Sequence, residues 1–306
     1  MPEVTERLPV ALRNIWQDQE RIGFLLNEPG CLPETRTATD PATGVEFRFR
    51  WLPHRSLRSN TAELERLGIL DPDRDETQLF RDERDASGAH CFLCRTNVAI
   101  SHPQEVLVPI EAGERRWWAG ANFAWLGDNH FTVMSDEHED QLYSKSVLEA
   151  MCALHQQTDG EFRIVFNGHG AGATIPWHLH IQMTTDPMPV ENLEHGAESA
   201  YPVPLTRFAV DQTEDADGFV TDWMNRDPDH HRVNLLVAGP ATGGHVYVVR
   251  RDTRRSTSLN KGLMGGWEVS GDFPYGDARY RAAFETADLD TAVAALREIR
   301  PIVLED

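Results

Sequence analysis

The sequence predicts an α+β fold in which helices pack on an antiparallel sheet. A long helical pattern over residues 139–157 is enclosed by segments that read as strands. These segments lie near residues 104–110, 115–124, 130–135, 161–167 and 178–184. An N-terminal amphipathic segment and a second pair of strands at 232–237 and 245–251 support the same class.

The N-terminal part contributes a helix and a strand. Residues 4–27 predict an amphipathic helix, because apolar side chains recur on one face, namely Leu8, Leu12, Ile15, Ile22 and Leu26. Val45–Trp51 alternates like a strand and places Arg48 and Arg50 on one face. Residues 60–90 are acidic and polar, which indicates a solvated connector or a helix edge with no assigned chemistry.

The long helix is expected to turn one apolar face inward, formed by Leu142, Val147, Leu148, Met151 and Leu154. Cys152 is expected in or beside that packed face. After residue 189 the sequence pattern changes. Residues 190–231 are acidic and read as irregular. A strand pair follows around Gly243-Gly244, and residues 290–299 read as a short helix.

Composition excludes several classes. The 306-residue chain carries a formal net charge of −20, which argues against general nucleic-acid binding, since that needs a basic footprint. No apolar run approaches the roughly 18–20 residues of a membrane span, and the N-terminus lacks a signal-peptide core. We therefore expect a cytoplasmic protein without a membrane partner. Besides the closely spaced Cys91 and Cys94, the chain has two cysteines, Cys31 and Cys152. So few cysteines argue against a disulfide framework.

The most informative segment is Asn167–Gln182, where a glycine-rich loop precedes His178-Leu179-His180-Ile181-Gln182. In a strand, His178, His180 and Gln182 would share one face. Free backbone N–H groups of such loops suit phosphate, and a histidine beside bound phosphate is a candidate nucleophile. The simpler interpretation is a strand with two buried, hydrogen-bonded histidines.

A second motif is the CxxC of Cys91 and Cys94. Thiolates at this spacing can chelate one zinc ion, and His138 and His178 could complete a tetrahedral set. A redox pair is an alternative that calls for a thioredoxin-like context. Two ordinary buried cysteines are another.

Together these motifs resemble the histidine-triad superfamily, in the branch of galactose-1-phosphate uridylyltransferase, GDP-hexose phosphorylases and dinucleoside tetraphosphate phosphorylase. Hydrolases of the superfamily usually end the motif in a third histidine, whereas this branch has glutamine, as at Gln182. The stretch 170–175 looks closest to the GDP-hexose phosphorylases. The spacing departs by one residue, because Pro176-Trp177 stands where a single residue is expected.

The resemblance covers residues 88–185 and implies a structural zinc ion. Residues 121–141 resemble the family's strand–turn–strand element, with Asn129-His130 at the turn and His138 before the long helix. Uridylyltransferases bind zinc through that histidine, the CxxC and the first histidine of the HxH. The implied Zn²⁺ ligands here are Cys91, Cys94, His138 and His178. The alternative for His138 is an exposed histidine at a helix start.

The resemblance also implies two-step nucleotidyl transfer. His180 would attack the α-phosphorus of a nucleotide ester, and phosphate or a sugar phosphate would then remove the nucleotide. Gln182 would donate a hydrogen bond to a phosphate oxygen. Asn167 would orient the nucleophile or hold a phosphate oxygen, although it also reads as a plain turn asparagine.

Further substrate-binding candidates follow from position. Backbone amides of the loop would stabilise phosphoryl charge, at Gly170, Gly172 and Thr174. Asn122 is a candidate for the base or ribose. Arg55, Arg58 and Lys261 are candidates for the distal phosphate or sugar, and each also reads as a solvated charge. Residues 267–271 are expected to close over the site from the second half.

We therefore predict three segments: an N-terminal extension (1–87), a catalytic histidine-triad-like unit (88–189) and a degenerate second unit (190–306). The leading functional hypothesis is a nucleotidyltransferase that cleaves a GDP-hexose-like NDP-sugar with phosphate or sugar phosphate as acceptor. A dinucleoside polyphosphate phosphorylase, a hydrolase and a non-catalytic nucleotide sensor are the alternatives. A homodimer is open, since two units in one chain could supply the pairing internally.

Overall fold

The computed structural model of the protein describes residues 7–27, 33–82, 88, 90–259 and 264–301. Its helices are α1 (Leu8–Arg21), α2 (Thr61–Arg66), α3 (Arg95–Ser101), α4 (Lys145–Gln157), α5 (Thr213–Arg226), α6 (Gly266–Val269), α7 (Arg281–Thr286) and α8 (Leu289–Glu298). Its strands are β1 (Glu34–Thr39), β2 (Glu46–Trp51), β3 (Val108–Ala112), β4 (Arg115–Ala121), β5 (Phe131–Ser135), β6 (Arg163–Asn167), β7 (His180–Thr184), β8 (Leu205–Ala209), β9 (His231–Ala238), β10 (His245–Asp252) and β11 (Asp272–Tyr275). Within these ranges no helix combines the length and apolarity needed to cross a bilayer.

An eight-stranded sheet forms the centre of the molecule, in the order β3-β4-β5-β7-β6-β9-β10-β8. Every neighbouring pair in it is antiparallel. Helices cover it, so the prediction of an α+β fold with an antiparallel sheet is confirmed.

One order of elements occurs twice in this sheet. β5, α4, β6 and β7 follow one another in the chain, and β7 lies between β5 and β6. β8, α5, β9 and β10 repeat this arrangement, with β10 between β8 and β9. The two sets join where β6 pairs with β9, and Asn167 lies opposite Asn234 at the end of that pairing. The division of the chain at residues 87 and 189 stays a prediction.

The sheet has a core on each face, because side chains alternate along every strand. Ile164 and Phe166 of β6 pack with α1, α4 and α5 on one face. Val165 packs on the other face, against β2, β11 and the C-terminal helices. Gln182 lies opposite Val165 in the register, so it shares this second face, and alternation places His180 and Asn167 there too.

A small sheet, β1-β2-β11, covers that second face. β2 and β11 run parallel, a pairing that the sequence analysis did not foresee. Asp272 of β11 is fully buried and accepts hydrogen bonds from both Arg48 and Arg50 of β2. Arg50 also donates to Asp186, just past β7. This ion cluster ties the small sheet to the large one.

Three expectations about elements were wrong. The long helix begins at Lys145, so Leu142 lies before it and is 44% exposed. Residues 190–231 are not irregular, since they contain β8 and α5. α5 buries a narrow stripe of Ala216, Val220 and Trp223 among acidic residues, which masked its periodicity. Residues 60–90 contain α2 and a buried carboxylate at Asp82.

We expect Asp272→Ala to lower the free energy of unfolding by about 3–5 kcal/mol, because it removes the buried carboxylate that the guanidinium groups of Arg48 and Arg50 share. Urea unfolding followed by circular dichroism measures the change. The matched control is Asp222→Ala, which breaks an exposed pair with Arg226 within α5 and should cost less than about 0.5 kcal/mol. Equal losses in the two variants would contradict the structural role of the cluster.

Candidate active site and metal cluster

The side-chain amide of Gln141 fixes the start of β7 against the end of β6. Its Nε2 donates to the carbonyl oxygens of Asn167, at 2.8 Å, and of His180, at 2.7 Å. Its Oε1 accepts from the backbone N–H of His180 at 2.7 Å. Gln141 is fully buried. A side chain therefore satisfies three backbone groups where the two strands separate to form the glycine-rich loop.

The imidazole of His180 is held in one tautomer. Its Nδ1 lies 2.9 Å from the carbonyl oxygen of His178. A carbonyl oxygen only accepts, so Nδ1 carries the proton and Nε2 keeps its lone pair. Burial lowers the pKa of His180 to about 4. The ring is therefore neutral at pH 7, with an unprotonated nitrogen opposite the one that is anchored.

His180 lines a cavity of about 600 Å³ that both halves of the chain enclose. The first half contributes Arg55, Ser56, Arg58, Leu126, Asn167, Gly172, Ala173, Thr174, His180 and Gln182. The second half contributes Gly265–Glu268, Pro274 and Gly276–Tyr280. Trp267 and Glu268 thus lie against the cavity, where the run 267–271 was expected.

At Gly172, beside this cavity, the two halves of the chain contact each other through backbone atoms. Gly172 has φ of +93°, a conformation that favours glycine. A Cβ at this position would lie 2.4 Å from the Cα of Gly265 and 2.5 Å from the carbonyl oxygen of Met264. The glycine-rich loop and the segment before α6 therefore touch backbone to backbone.

Asn167 is anchored by its side-chain oxygen. Oδ1 accepts from the backbone N–H of Gly266 at 2.6 Å and from Nδ2 of Asn234 at 2.8 Å. Because two donors meet this oxygen, the assignment of the amide is fixed. Its NH2 group is then the part that remains for the cavity that Asn167 lines.

His130 directly follows the turn at Asn129, next to the start of β5. Its ring is fully buried, and Nδ1 accepts from the backbone N–H of Leu126 at 2.9 Å, so the proton is on Nε2. Burial lowers the pKa of His130 well below its ordinary value, Arg55 and Arg50 act in the same direction, and the Gln182 side chain opposes them. The sequence analysis did not identify His130 as a neighbour of the Gln182 side chain.

Two arginines face the cavity from one short helix. Arg55 and Arg58 lie in the 3₁₀ helix Pro53–Ser59, and side chains three residues apart eclipse in such a helix. Desolvation, with the charge of Arg58 second, lowers the pKa of Arg55 to about 9, so it is cationic at pH 7. Among the described residues, no carboxylate forms an ion pair with either arginine. The Glu268 carboxylate also lines this cavity and opposes the lowering of the Arg55 pKa. Because it makes no direct ion pair with either arginine, the two adjacent cations still suit an anion.

Two of the predicted substrate-binding residues do not line the cavity, and a third lies outside the described residues. Asn122 donates to Oγ1 of Thr132 and accepts from the backbone N–H of Ala124, as a turn asparagine does. Gly170 faces Thr253, and neither Asn122 nor Gly170 lines the cavity. Lys261 lies outside the described residues.

The four predicted metal ligands converge. The ligand atoms of Cys91, Cys94, His138 and His178 all lie within 4.8 Å of one another. Nδ1 of His178 is 3.3 Å from Sγ of Cys91 and 3.2 Å from Nδ1 of His138. Nδ1 of His138 is 3.2 Å from Sγ of Cys94. A tetrahedron with Zn–S of about 2.3 Å and Zn–N of about 2.0 Å has edges of about 3.3–3.8 Å, so the set fits a zinc ion.

The outer ring nitrogens of both histidines are also held. Nε2 of His138 lies 2.7 Å from a carboxylate oxygen of Asp82, and Nε2 of His178 lies 3.2 Å from the carbonyl oxygen of Ser135. Such partners fix which nitrogen faces the metal. The hydrogen bond from the Cys94 thiol, with a smaller contribution from His178, lowers the pKa of Cys91 below its ordinary value. Asp82 was missed because it stands in the acidic stretch that we read as solvated.

His178 departs from its expected place in one respect. β7 begins at His180, so His178 precedes the strand and turns to the metal cluster. His180 and Gln182 turn to the cavity. The HxH motif thus joins the cluster to the cavity through two residues of backbone.

Residues 71–185 match a family model described as Domain of unknown function (DUF4922). No curated protein matches the chain. Among solved structures, yeast Ap4A phosphorylase Apa2 matches with a TM-score of 0.56 at 14% identity, over 97% of this chain and 99% of that one. Its complex with AMP gives a TM-score of 0.59 at 13% identity, over 98% and 99%. Its complex with Ap4A gives 0.56 at 14%, over 97% and 99%. The chain shares the histidine-triad-like fold of these structures.

We expect Asp82→Asn to weaken zinc binding by about 10–100-fold, because His138 loses a charged partner for its outer nitrogen. Competition with a chromophoric chelator measures the affinity, and mass spectrometry under native conditions counts the ions. The matched control is Cys152→Ser, a buried cysteine in α4 that lies outside the cluster. It should retain one zinc per chain. A metal content that follows Cys152 and ignores Asp82 would disprove the assignment.

Proposed function

We propose that the protein is a nucleotidyltransferase of the phosphorylase type that cleaves a dinucleoside polyphosphate through a nucleotidyl-His180 intermediate. The observation that carries the proposal is the neutral His180 ring, anchored through Nδ1, in a cavity that also holds two arginines. Support for the substrate class comes from the likeness, over nearly the whole of both chains, to a protein titled Ap4A phosphorylase. The structures of that protein with AMP and Ap4A support a nucleotide ligand.

In the first step, Nε2 of His180 attacks the α-phosphorus of the nucleotide. A P–N bond forms as the bond from the α-phosphorus to the bridging oxygen breaks, and that oxygen keeps the bonding electron pair. The rest of the polyphosphate leaves as an anion. Nδ1 keeps its proton throughout, and its hydrogen bond to the carbonyl oxygen of His178 stabilises the positive charge that develops on the ring.

In the second step, an oxygen of inorganic phosphate attacks the same phosphorus. The P–N bond breaks, its electron pair returns to Nε2, and a nucleoside diphosphate leaves. Two displacements at phosphorus thus replace a single direct attack of phosphate, an anion, on the anionic nucleotide.

Different cavity residues suit different phosphate groups of this substrate. Arg55 and Arg58 are placed for the leaving polyphosphate, since guanidinium groups pair well with phosphate oxygens. The amides of Gln182 and Asn167, with backbone N–H groups near Gly172 and Thr174, suit the phosphoryl group under attack. These donors need no proton transfer, in agreement with an amide at Gln182.

We assign Zn²⁺ to the cluster of Cys91, Cys94, His138 and His178 as a structural ion. Four protein ligands leave no open position for substrate. When bound, the ion would cross-link the chain before α3 to the residues on either side of α4. His178 would then hold the carbonyl oxygen that anchors His180.

The NDP-sugar hypothesis keeps the same chemistry with a different leaving group. It rests on the resemblance of residues 170–175 to GDP-hexose phosphorylases, whereas the solved structures favour the dinucleoside polyphosphate. A hydrolase would use water in place of phosphate in the second step. A non-catalytic binding protein would not carry out the first step. One experiment therefore separates all four, and the homodimer stays a separate prediction.

We expect incubation with Ap4A, without phosphate, to add one AMP to the intact protein. Mass spectrometry at alkaline pH detects it, because a phosphoramidate survives there. His180→Ala should show no adduct, since the attacking nitrogen is gone, and it should still bind AMP.

The matched control is His245→Ala. His245 begins β10 as His180 begins β7, but it does not line the cavity, so the adduct should persist. An adduct from an NDP-sugar alone would select that donor. Rapid release of nucleotide without added phosphate would indicate a hydrolase. AMP binding with neither adduct nor turnover would leave a sensor.

We expect Arg55→Met and Arg58→Met each to raise KM for Ap4A by roughly 10-fold or more, because each removes a charged partner of phosphate. Steady-state phosphorolysis measures the effect. Arg281→Met is the control, since Arg281 pairs with Glu34 and Glu285 away from the cavity, and it should leave KM unchanged. An unchanged KM in both cavity variants would contradict the anion site.

A further inference from the structure

A buried arginine of the second half is connected to the cavity by polar contacts. Arg251 of β10 is 2% exposed. Its Nη1 donates to Oδ1 of Asn234 at 2.8 Å and to the carbonyl oxygen of Met264 at 2.9 Å. Desolvation lowers the pKa of Arg251 to about 10, so the group is a cation at pH 7. A guanidinium donates only, and the amide oxygen of Asn234 must therefore face it.

Asn234 connects Arg251 to Asn167 by hydrogen bonds where β9 pairs with β6. With its oxygen held by Arg251, its Nδ2 donates to Oδ1 of Asn167 at 2.8 Å and to the carbonyl oxygen of Ala171 at 2.6 Å. Asn234 is 1% exposed. A flipped amide would set its oxygen against two acceptors, which is costly in a buried site.

Asn167 is the last member of the series. Its Oδ1 accepts one hydrogen bond from Nδ2 of Asn234 and another from the backbone N–H of Gly266. Its NH2 group is left for the cavity. The direction of every bond in the series follows from the first one, because Arg251 cannot accept.

We propose that Arg251 and Asn234 are positioning residues, which act through Asn167 to aim an amide donor at a phosphoryl group in the cavity. The identity of that ligand rests on the proposed function. The same two residues also hold Ala171 and Met264, so they set the spacing of the two segments that meet at Gly172.

Stability alone does not account for this arrangement. Burying a guanidinium carries a desolvation penalty of several kcal/mol, and well-packed apolar residues often replace buried ionic groups at no loss of stability. A polar series with one fixed direction supplies specificity that an apolar core cannot, and its far end opens on the site.

The test is a double-mutant cycle between Asn167→Asp and Asn234→Ala. Asn167→Asp keeps an oxygen for Asn234 and Gly266, replaces the NH2 donor that faces the cavity by an acceptor oxygen, and adds a negative charge. We expect it to leave Tm within about 3 °C, a small stability change for a chain of this length, and to lower both kcat/KM for Ap4A and AMP affinity at least 10-fold. Calorimetry measures AMP binding.

Asn234→Ala alone should lower the same two quantities at least 10-fold. In the Asn167→Asp background it should lower them no further, within 2-fold, because its target is already lost. Arg251→Met should behave like Asn234→Ala, and Arg251→Lys should recover part of the loss, since an ammonium also donates only. Arg207→Met is the control: Arg207 of β8 bonds Glu198 and the carbonyl oxygen of Leu193, so Tm should fall without a change in AMP affinity.

Three results would overturn the inference. Multiplicative losses in the double variant would show that Asn234 acts independently of Asn167. Full AMP affinity in Asn167→Asp would show that its amide meets no phosphoryl group, and full AMP affinity in Asn234→Ala would show that Asn234 positions nothing. If the wild type binds AMP but transfers no nucleotide, the proposed function fails, and the cycle is decided on AMP affinity alone. If the wild type does not bind AMP at all, both proposals are wrong.

Discussion

Three hydrogen bonds of the buried Gln141 side chain, two donated and one accepted, hold the site together. β6 and β7 must separate after Asn167 and before His180, because the glycine-rich loop runs between them. Separation would leave the backbone groups of both residues without ladder partners, and a buried unpaired group costs about 1–3 kcal/mol. Gln141 supplies the donors and the acceptor that the ladder lacks. The loop can therefore open toward the cavity while His180 and Asn167 stay side by side.

The sequence was sufficient to predict the part of the candidate site that lies in short motifs. The CxxC and the HxHxQ, through the family resemblance that they carry, predicted four metal ligands and a nucleophile, and the structure brings the four predicted ligands together. Alternation and helical periodicity located most strands of the main sheet and the long helix. These patterns are local, so they are visible without knowing which segments meet.

What the sequence could not show depends on contacts between distant segments. Asp82, Asn234 and Arg251 occupy no motif, and Gln141 only ends a segment that we read for its strands. Each matters because of what it contacts. Asp82 and α5 lie in acidic stretches that composition assigns to solvent, yet a carboxylate beside a histidine and a narrow apolar stripe are enough to bury them. Asn122 shows the converse, since a polar residue near a motif turned out to cap a turn.

Backbone contact between Gly172 and the segment at Gly265 has a consequence for how this chain can change over time. A methyl group at residue 172 would collide with main-chain atoms rather than with a side chain that can rotate away. Neither segment can gain bulk there unless the other retreats, and retreat would widen the cavity. The two positions, 93 residues apart, should therefore vary together or not at all among descendants of this sequence, and a lineage in which they drift independently will have given up the shared wall between its two halves.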